Sequence, residues 1–268
     1  MSNRENENQE IDVSMLSDEL KKQVPFLTVN RIGTTDTAFM RTECYLGYVK
    51  PEENYILQFD GIHKDENVSI KPLAIPKKPA MSVLAGEWQE KIEFVIDDAN
   101  ILGGNGRYIL PTGDDVLSIS IATTSAETLA YYGCHLVKVG EGIKFGSSGD
   151  LPVTVTTVGA NYPDGYLLNP KLGGGAYLEV HDRPHFHMPL DPSCEGYLII
   201  GKRTKEGADE VSAFKIPYGY GVHMAPWCIH SDAYLVGKYM VIYSVTPEFS
   251  TVILYKSTGD LAKVKFVG

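Results

Sequence analysis

Short runs of β-branched and aromatic residues, each closed off by glycine, proline, asparagine or aspartate, recur along this chain beyond residue 25. Such runs occupy residues 54–59, 91–96, 116–122, 153–158, 197–200, 239–245 and 251–255. Between them lie turn signals at 103–106 (GGNG), 111–114 (PTGD), 163–165 (PDG) and 173–175 (GGG). A strand is extended and half-buried, so this pattern predicts strands joined by tight turns and leaves little room for helix. Closing the strands on one another removes exposed edges, which makes an all-β sandwich or barrel the expected class.

One helix is expected ahead of them. Met15, Leu16, Leu20 and Val24 recur at helical spacing, residues 1–12 are polar, and Pro25 stops the run. The 268 residues exceed one typical domain, so two compact β units are expected. The boundaries are a tail and helix over 1–24, one unit over 25–145 and a second over 150–268. Residues 142–152 (GIKFGSSGDLP) form the joint.

Apolar residues make up 43% and charged residues 22%, which argues against wholesale disorder. A net charge of -10 with scattered lysines and arginines argues against a nucleic-acid partner. No run approaches the ~20 apolar residues of a membrane span, and residues 1–10 are polar, so a cytoplasmic protein is expected. Cys44, Cys134, Cys194 and Cys228 are widely spaced, which suits reduced thiols. Cys194 and Cys228 lie in the segments that carry the chemistry and are expected to act as small buried hydrophobes.

Five of the seven histidines fall between 181 and 230. In HDRPHFHM, the alternation of side chains along a strand puts His185 and His187 on one side, where two imidazoles can share an ion. The segment GYGVHMAPWCIH supplies His230 after a proline turn, and Glu195, following the H-x-H pair, is the candidate carboxylate to complete the set. Imidazole with carboxylate suits Zn, Fe, Mn, Ni or Cu without choosing among them. His223 has a parity that turns it from the ion, toward the pocket lining or the surface. His181 and Arg183 are placed to reach an anionic substrate or to lie in a solvated loop. Tyr197, Tyr218, Tyr220 and Trp227 either line a pocket mouth or pack in the core. His63 and His135 are isolated and read as surface or core residues. No G-x-S-x-G, H-E-x-x-H, phosphate loop or dinucleotide fingerprint is present, which lowers the case for a serine hydrolase, a zincin or a nucleotide enzyme.

Across residues 177–245 the chain resembles the cupin superfamily. His185, His187, Glu195, the apolar run 197–200 and Gly201 take the places of the first cupin motif. Gly219, Pro226 and His230 take those of the second. The resemblance implies two cupin-like (double-stranded β-helix, jelly-roll) barrels. Their metal ligands would be His185, His187, His230 and Glu195, with Cys194 fitting the carboxylate's place about as well. Residues 106–119 (GRYILPTGDDVLSI) resemble a cupin turn segment with no histidine after it, which implies a first barrel without metal. Gly221-Val222 with His230, and Pro189-Leu190 ahead of residues 197–199, resemble ureidoglycolate lyase. Met224-Ala225-Pro226-Trp227 resembles the second barrel of ureidoglycine aminohydrolases.

The expected function is a metal-dependent enzyme acting on a small polar metabolite (a hydroxy acid, ureide or sugar derivative) by lyase, hydrolase or isomerase chemistry. A non-catalytic binding or sensing protein is the alternative, and an iron dioxygenase a further one. Glu195, His223 and Tyr197 are the candidate acid or base groups. His181, Arg183, Trp227 and Tyr220 are the candidate substrate contacts. A homodimer is implied by the resemblance alone.

Overall fold

The structure is a computed structural model that describes residues 11–90, 104–243, 245–246 and 248–268, without the side chains of 104 and 105. The strand expected at 91–96 lies outside the described residues. Strand takes 47% and helix 8%, so the all-β class holds. Among the described residues, no helix is long and apolar enough to cross a membrane.

The N-terminal helix is two short turns, α1 (Asp18–Lys21) and α2 (Val24–Leu27). Ser17 caps α1, accepting from the Leu20 N–H at 3.4 Å. Pro25 opens α2 instead of ending a single helix, because a proline in a first turn sacrifices no helical hydrogen bond. Leu16, Leu20 and Leu27 anchor both turns in the core.

The first ten strands are β1 (Asn30–Ile32), β2 (Phe39–Val49), β3 (Asn54–Gln58), β4 (Gly61–Lys64), β5 (Ser82–Leu84), β6 (Glu87–Glu90), β7 (Gly104–Ile109), β8 (Val116–Ala122), β9 (His135–Lys138) and β10 (Gly142–Lys144). A short α3 (Ala126–Ala130) precedes β9. The remaining strands are β11 (Leu151–Val158), β12 (Tyr177–His181), β13 (His185–Pro189), β14 (Glu195–Arg203), β15 (Asp209–Phe214), β16 (Tyr220–Met224), β17 (Ile229–Ile242), β18 (Phe249–Tyr255) and β19 (Lys263–Val267). The glycine run expected to turn at 103–106 instead opens β7 from Gly104, pairing in parallel with β18. At 163–165 the expected turn becomes one π-helical turn over Pro163–Leu167.

β17 organises the sheet. Its first part, Ile229 to Val236, pairs with β14 and touches β12, while Gly237 to Ile242 pairs with β11 and β13. The change of partner falls at Gly237, whose φ of 110° suits glycine and lets one strand serve two branches of the sheet. Strands from before and after the 142–152 segment interleave: β2 pairs with β11, β7 with β18, and β9 with β16. Their two inner faces meet in a core that includes Leu198, Ile200, Phe214, Val222, Met224 and Val241. Ile200 stands directly opposite His230, and Met224 directly opposite His185. The histidines therefore share the space between the branches with this core.

Candidate metal centre

Three strands supply the site. On β12 the two-residue period turns Tyr177, Glu179 and His181 to one face; on β13 it does the same for His185 and His187, and on β17 for His230 and Asp232. Glu179 is the direct cross-strand partner of His230. Glu179, His181, His185 and His230 each present one ligand atom, and these four atoms lie within 4.8 Å of one another. A tetrahedral ion with bonds near 2.1 Å holds its ligands roughly 3.4 Å apart, so modest side-chain rotations would close the set.

The chemistry of the donors fits a divalent transition ion. His181 Nδ1 and His185 Nδ1 are buried with no hydrogen-bond partner. Buried polar nitrogens are seldom left unpaired, and a shared cation would use those lone pairs. His230 Nε2 is 3.2 Å from Glu179 Oε1, while its Nδ1 meets the Cys228 carbonyl at 2.9 Å. That second contact is the outer support that fixes a ligating imidazole.

Burial dominates the electrostatics. It pushes the Glu179 carboxyl up, but His230 and its neighbours overcome it and leave the group at about 2. Desolvation, then the charge of His230, lowers His181 to about 4; desolvation lowers His187 to about 4 and drives His185 well below the usual imidazole range. His230 runs the other way: burial lowers it, but Glu179 carries it above its ordinary value. His181, His185 and His187 are thus neutral and Glu179 ionised at neutral pH, the states in which these groups ligate.

His187 lies beside this set, its ring centroid 4.8 Å from that of His185. Its Nε2 stands 3.8 Å from Asp232 Oδ2, and neither ring nitrogen has a hydrogen-bond partner. Asp232 in turn accepts from the Tyr177 hydroxyl. The structure therefore brings together His185, His230 and His181 from the sequence reading, keeps His187 adjacent, and adds Glu179 and Asp232.

The other expected residues lie elsewhere. Glu195 is exposed at the start of β14, and its backbone carbonyl accepts from the Tyr239 hydroxyl at 3.0 Å. Cys194 packs against Gly237 and the Lys238 carbonyl. Tyr197 packs on Phe266 at 4.8 Å, and His223, paired across from Phe186, faces away from His185 and lies against Phe145. Arg183 Nη1 donates to Ser147 Oγ at 3.3 Å. Trp227 is 55% exposed, yet its backbone N–H donates to the His181 carbonyl at 2.7 Å. Tyr220 lines a separate cavity with His135 and His223. His63 is exposed and meets Asp60 at 2.9 Å.

A cavity of about 270 Å³ opens onto the cluster, reached by Glu179, His181 and His185 and also by Arg31, Asp232 and Tyr243. Arg31, from β1, donates to the Tyr162 hydroxyl at 3.0 Å. The Tyr243 hydroxyl is buried with no hydrogen-bond partner. Sequence spacing pointed to neither residue. Glu179 and Asp232 did carry a signal, since Glu179-Val180-His181 and His230-Ser231-Asp232 each put a carboxylate two residues from a histidine. Comparison with family models, with curated proteins and with solved structures returns no match.

The depressed histidines set a pH dependence. For His181, His185, His187 and His223, the last lowered by desolvation to about 3, the unfolded chain binds protons below about 6.5 that the folded chain refuses. Stability must then fall as pH drops from 6.5 toward 4, by up to about 1.4 kcal/mol per pH unit for each such histidine. His135 is lowered by desolvation and acts in the same sense, whereas the raised His230 exerts its effect above about 6.5, outside this window. Melting curves in a chelator across that range should show a falling Tm, shallower in His223→Phe. A flat profile would show that these imidazoles titrate normally.

Proposed function

We propose that the protein is a metal-dependent, cupin-like enzyme acting on a small anionic metabolite. The observation that carries this reading is the Glu179, His181, His185 and His230 cluster, of which Glu179, His181 and His185 line a cavity of about 270 Å³. A divalent ion there would supply Lewis acidity, polarising a substrate carbonyl or acidifying a bound water. Lyase, hydrolase and isomerase chemistry all use that property.

The chain's own groups narrow the substrate. Around the cavity, Arg31 contributes one positive charge and Glu179 and Asp232 one negative each, while the depressed histidines contribute none. A divalent ion would leave the site with a net positive charge that a monoanion such as a carboxylate neutralises, and a buried site disfavours uncompensated charge. The Tyr243 hydroxyl offers a donor to such a ligand. Asp232, between Tyr177 and His187, is placed to hold or move a proton beside the ion.

Elemental analysis of purified protein should find about one transition ion per chain, and His185→Ala should lose it. In metal-loaded protein, short monocarboxylic acids should raise Tm where their amides do not, and Arg31→Lys should weaken that shift with metal content unchanged. Negligible metal in wild type and variant alike would sink the reading. Acid-induced shifts that persist in chelator, without turnover, would instead favour a non-catalytic binding protein.

A further inference from the structure

We propose that Cys134 and Cys228 form a redox modification site, a buried dithiol that oxidises to a disulfide and thereby loosens the metal centre. Of the four cysteines, the fold brings Cys134 to Cys228, while Cys194 packs against Gly237 and the Lys238 carbonyl. Cys134 directly precedes β9, and Cys228 closes the turn from β16 to β17. Their Sγ atoms are in contact at 3.7 Å, and both side chains are buried.

Access comes from one side. Cys134 lines a cavity of about 350 Å³ together with His135, His223 and Tyr220, and exposed Lys71 and Lys138 stand at its rim. Cys134 is itself fully buried at this lining and Cys228 is not part of it, so a small peroxide that penetrates from this cavity reaches Cys134 before Cys228. Its O–O bond breaks as the Cys134 sulfur takes one oxygen as a sulfenic acid and water leaves. The Cys228 sulfur then attacks that of Cys134, the S–O bond breaks, and a second water departs. Two thiols and one peroxide thus give one disulfide and two waters, and a small dithiol reverses the change.

The same turn holds two of the candidate ligands. The Trp227 backbone N–H donates to the His181 carbonyl at 2.7 Å, and the Cys228 carbonyl meets His230 Nδ1 at 2.9 Å. A disulfide needs its sulfurs at about 2.05 Å, so they must close by roughly 1.6 Å. The turn already carries Trp227 at a φ of 64°, a conformation that costs a non-glycine residue energy. Drawing Cys228 toward Cys134 therefore pulls on the outer supports of His181 and His230 together. The coupling half of this inference rests on the proposed metal site; the thiol chemistry does not.

The full-length protein carrying Cys44→Ser and Cys194→Ser is treated with hydrogen peroxide and mapped without reduction. The expected product is one peptide pair joining Cys134 to Cys228, absent in a further Cys134→Ala variant. Zinc retention against a chromophoric chelator should weaken about tenfold on oxidation, the scale of losing an outer support, and recover with dithiothreitol. Peroxide that leaves both thiols free, or carries Cys134 to a sulfinic acid with no cross-link, overturns the site. A cross-link that leaves zinc affinity unchanged overturns the coupling. Reduced protein that binds no zinc refutes the metal reading, and the peptide map still decides the thiol pair.

Discussion

Glu179→Gln should cost the protein at least tenfold in zinc affinity, while Glu195→Gln should leave it unchanged. Losing an outer-shell partner typically costs 10- to 100-fold, and a ligating carboxylate should cost no less. Glu179 is half-buried within ligand reach of His181, His185 and His230 and lies 3.2 Å from His230 Nε2. Glutamine keeps the shape but not the charge that opposes the ion and carries His230 above its ordinary pKa. Glu195 is exposed, so its replacement removes a solvated charge. Competition with a chromophoric chelator measures both constants. If Glu195→Gln released the metal and Glu179→Gln retained it, the ligand set drawn from the structure would be wrong.

That contrast also marks what the sequence could and could not say. Strand positions were legible because side-chain alternation is local: 116–122 is a strand over its whole expected length, and 54–59, 153–158 and 251–255 shift at their ends by one or two residues. Parity was legible too, since His185 and His187 share a face and His223, opposite Phe186, takes the other. Register was not. Which carboxylate faces His230 depends on how β12 lies against β17, and these strands are some fifty residues apart in sequence. Spacing along the chain favoured Glu195 because it follows the H-x-H pair, whereas Glu179 precedes it. Arg31 was harder still, for β1 reaches the cavity from the far end of the chain, where nothing nearby in sequence suggests a site. The contact between Cys134 and Cys228 has the same origin: β9 lies beside β16, and no local pattern encodes that pairing.

Gly221→Val should destabilise the fold by about 1–3 kcal/mol and weaken metal binding from behind the site. A Cβ at Gly221 would meet the Phe186 ring at 2.2 Å, far inside contact distance. Phe186 cannot retreat easily, being fully buried and packed edge-on against Phe145 at 6.2 Å. It sits between His185 and His187 on β13, so displacing its ring shifts the backbone that aims both imidazoles. Thermal melts in chelator read the first effect and zinc competition the second. Phe186→Leu alone opens space and should cost stability as an under-filled core does. Combined with Gly221→Val it should cost less than the sum of the two, because the new methyls occupy the volume the ring has left. A double-mutant cycle reads that coupling directly. Additive losses, or a Gly221→Val variant with wild-type Tm and zinc affinity, would show that the close approach of β16 to the Phe186 ring does not set the position of His185.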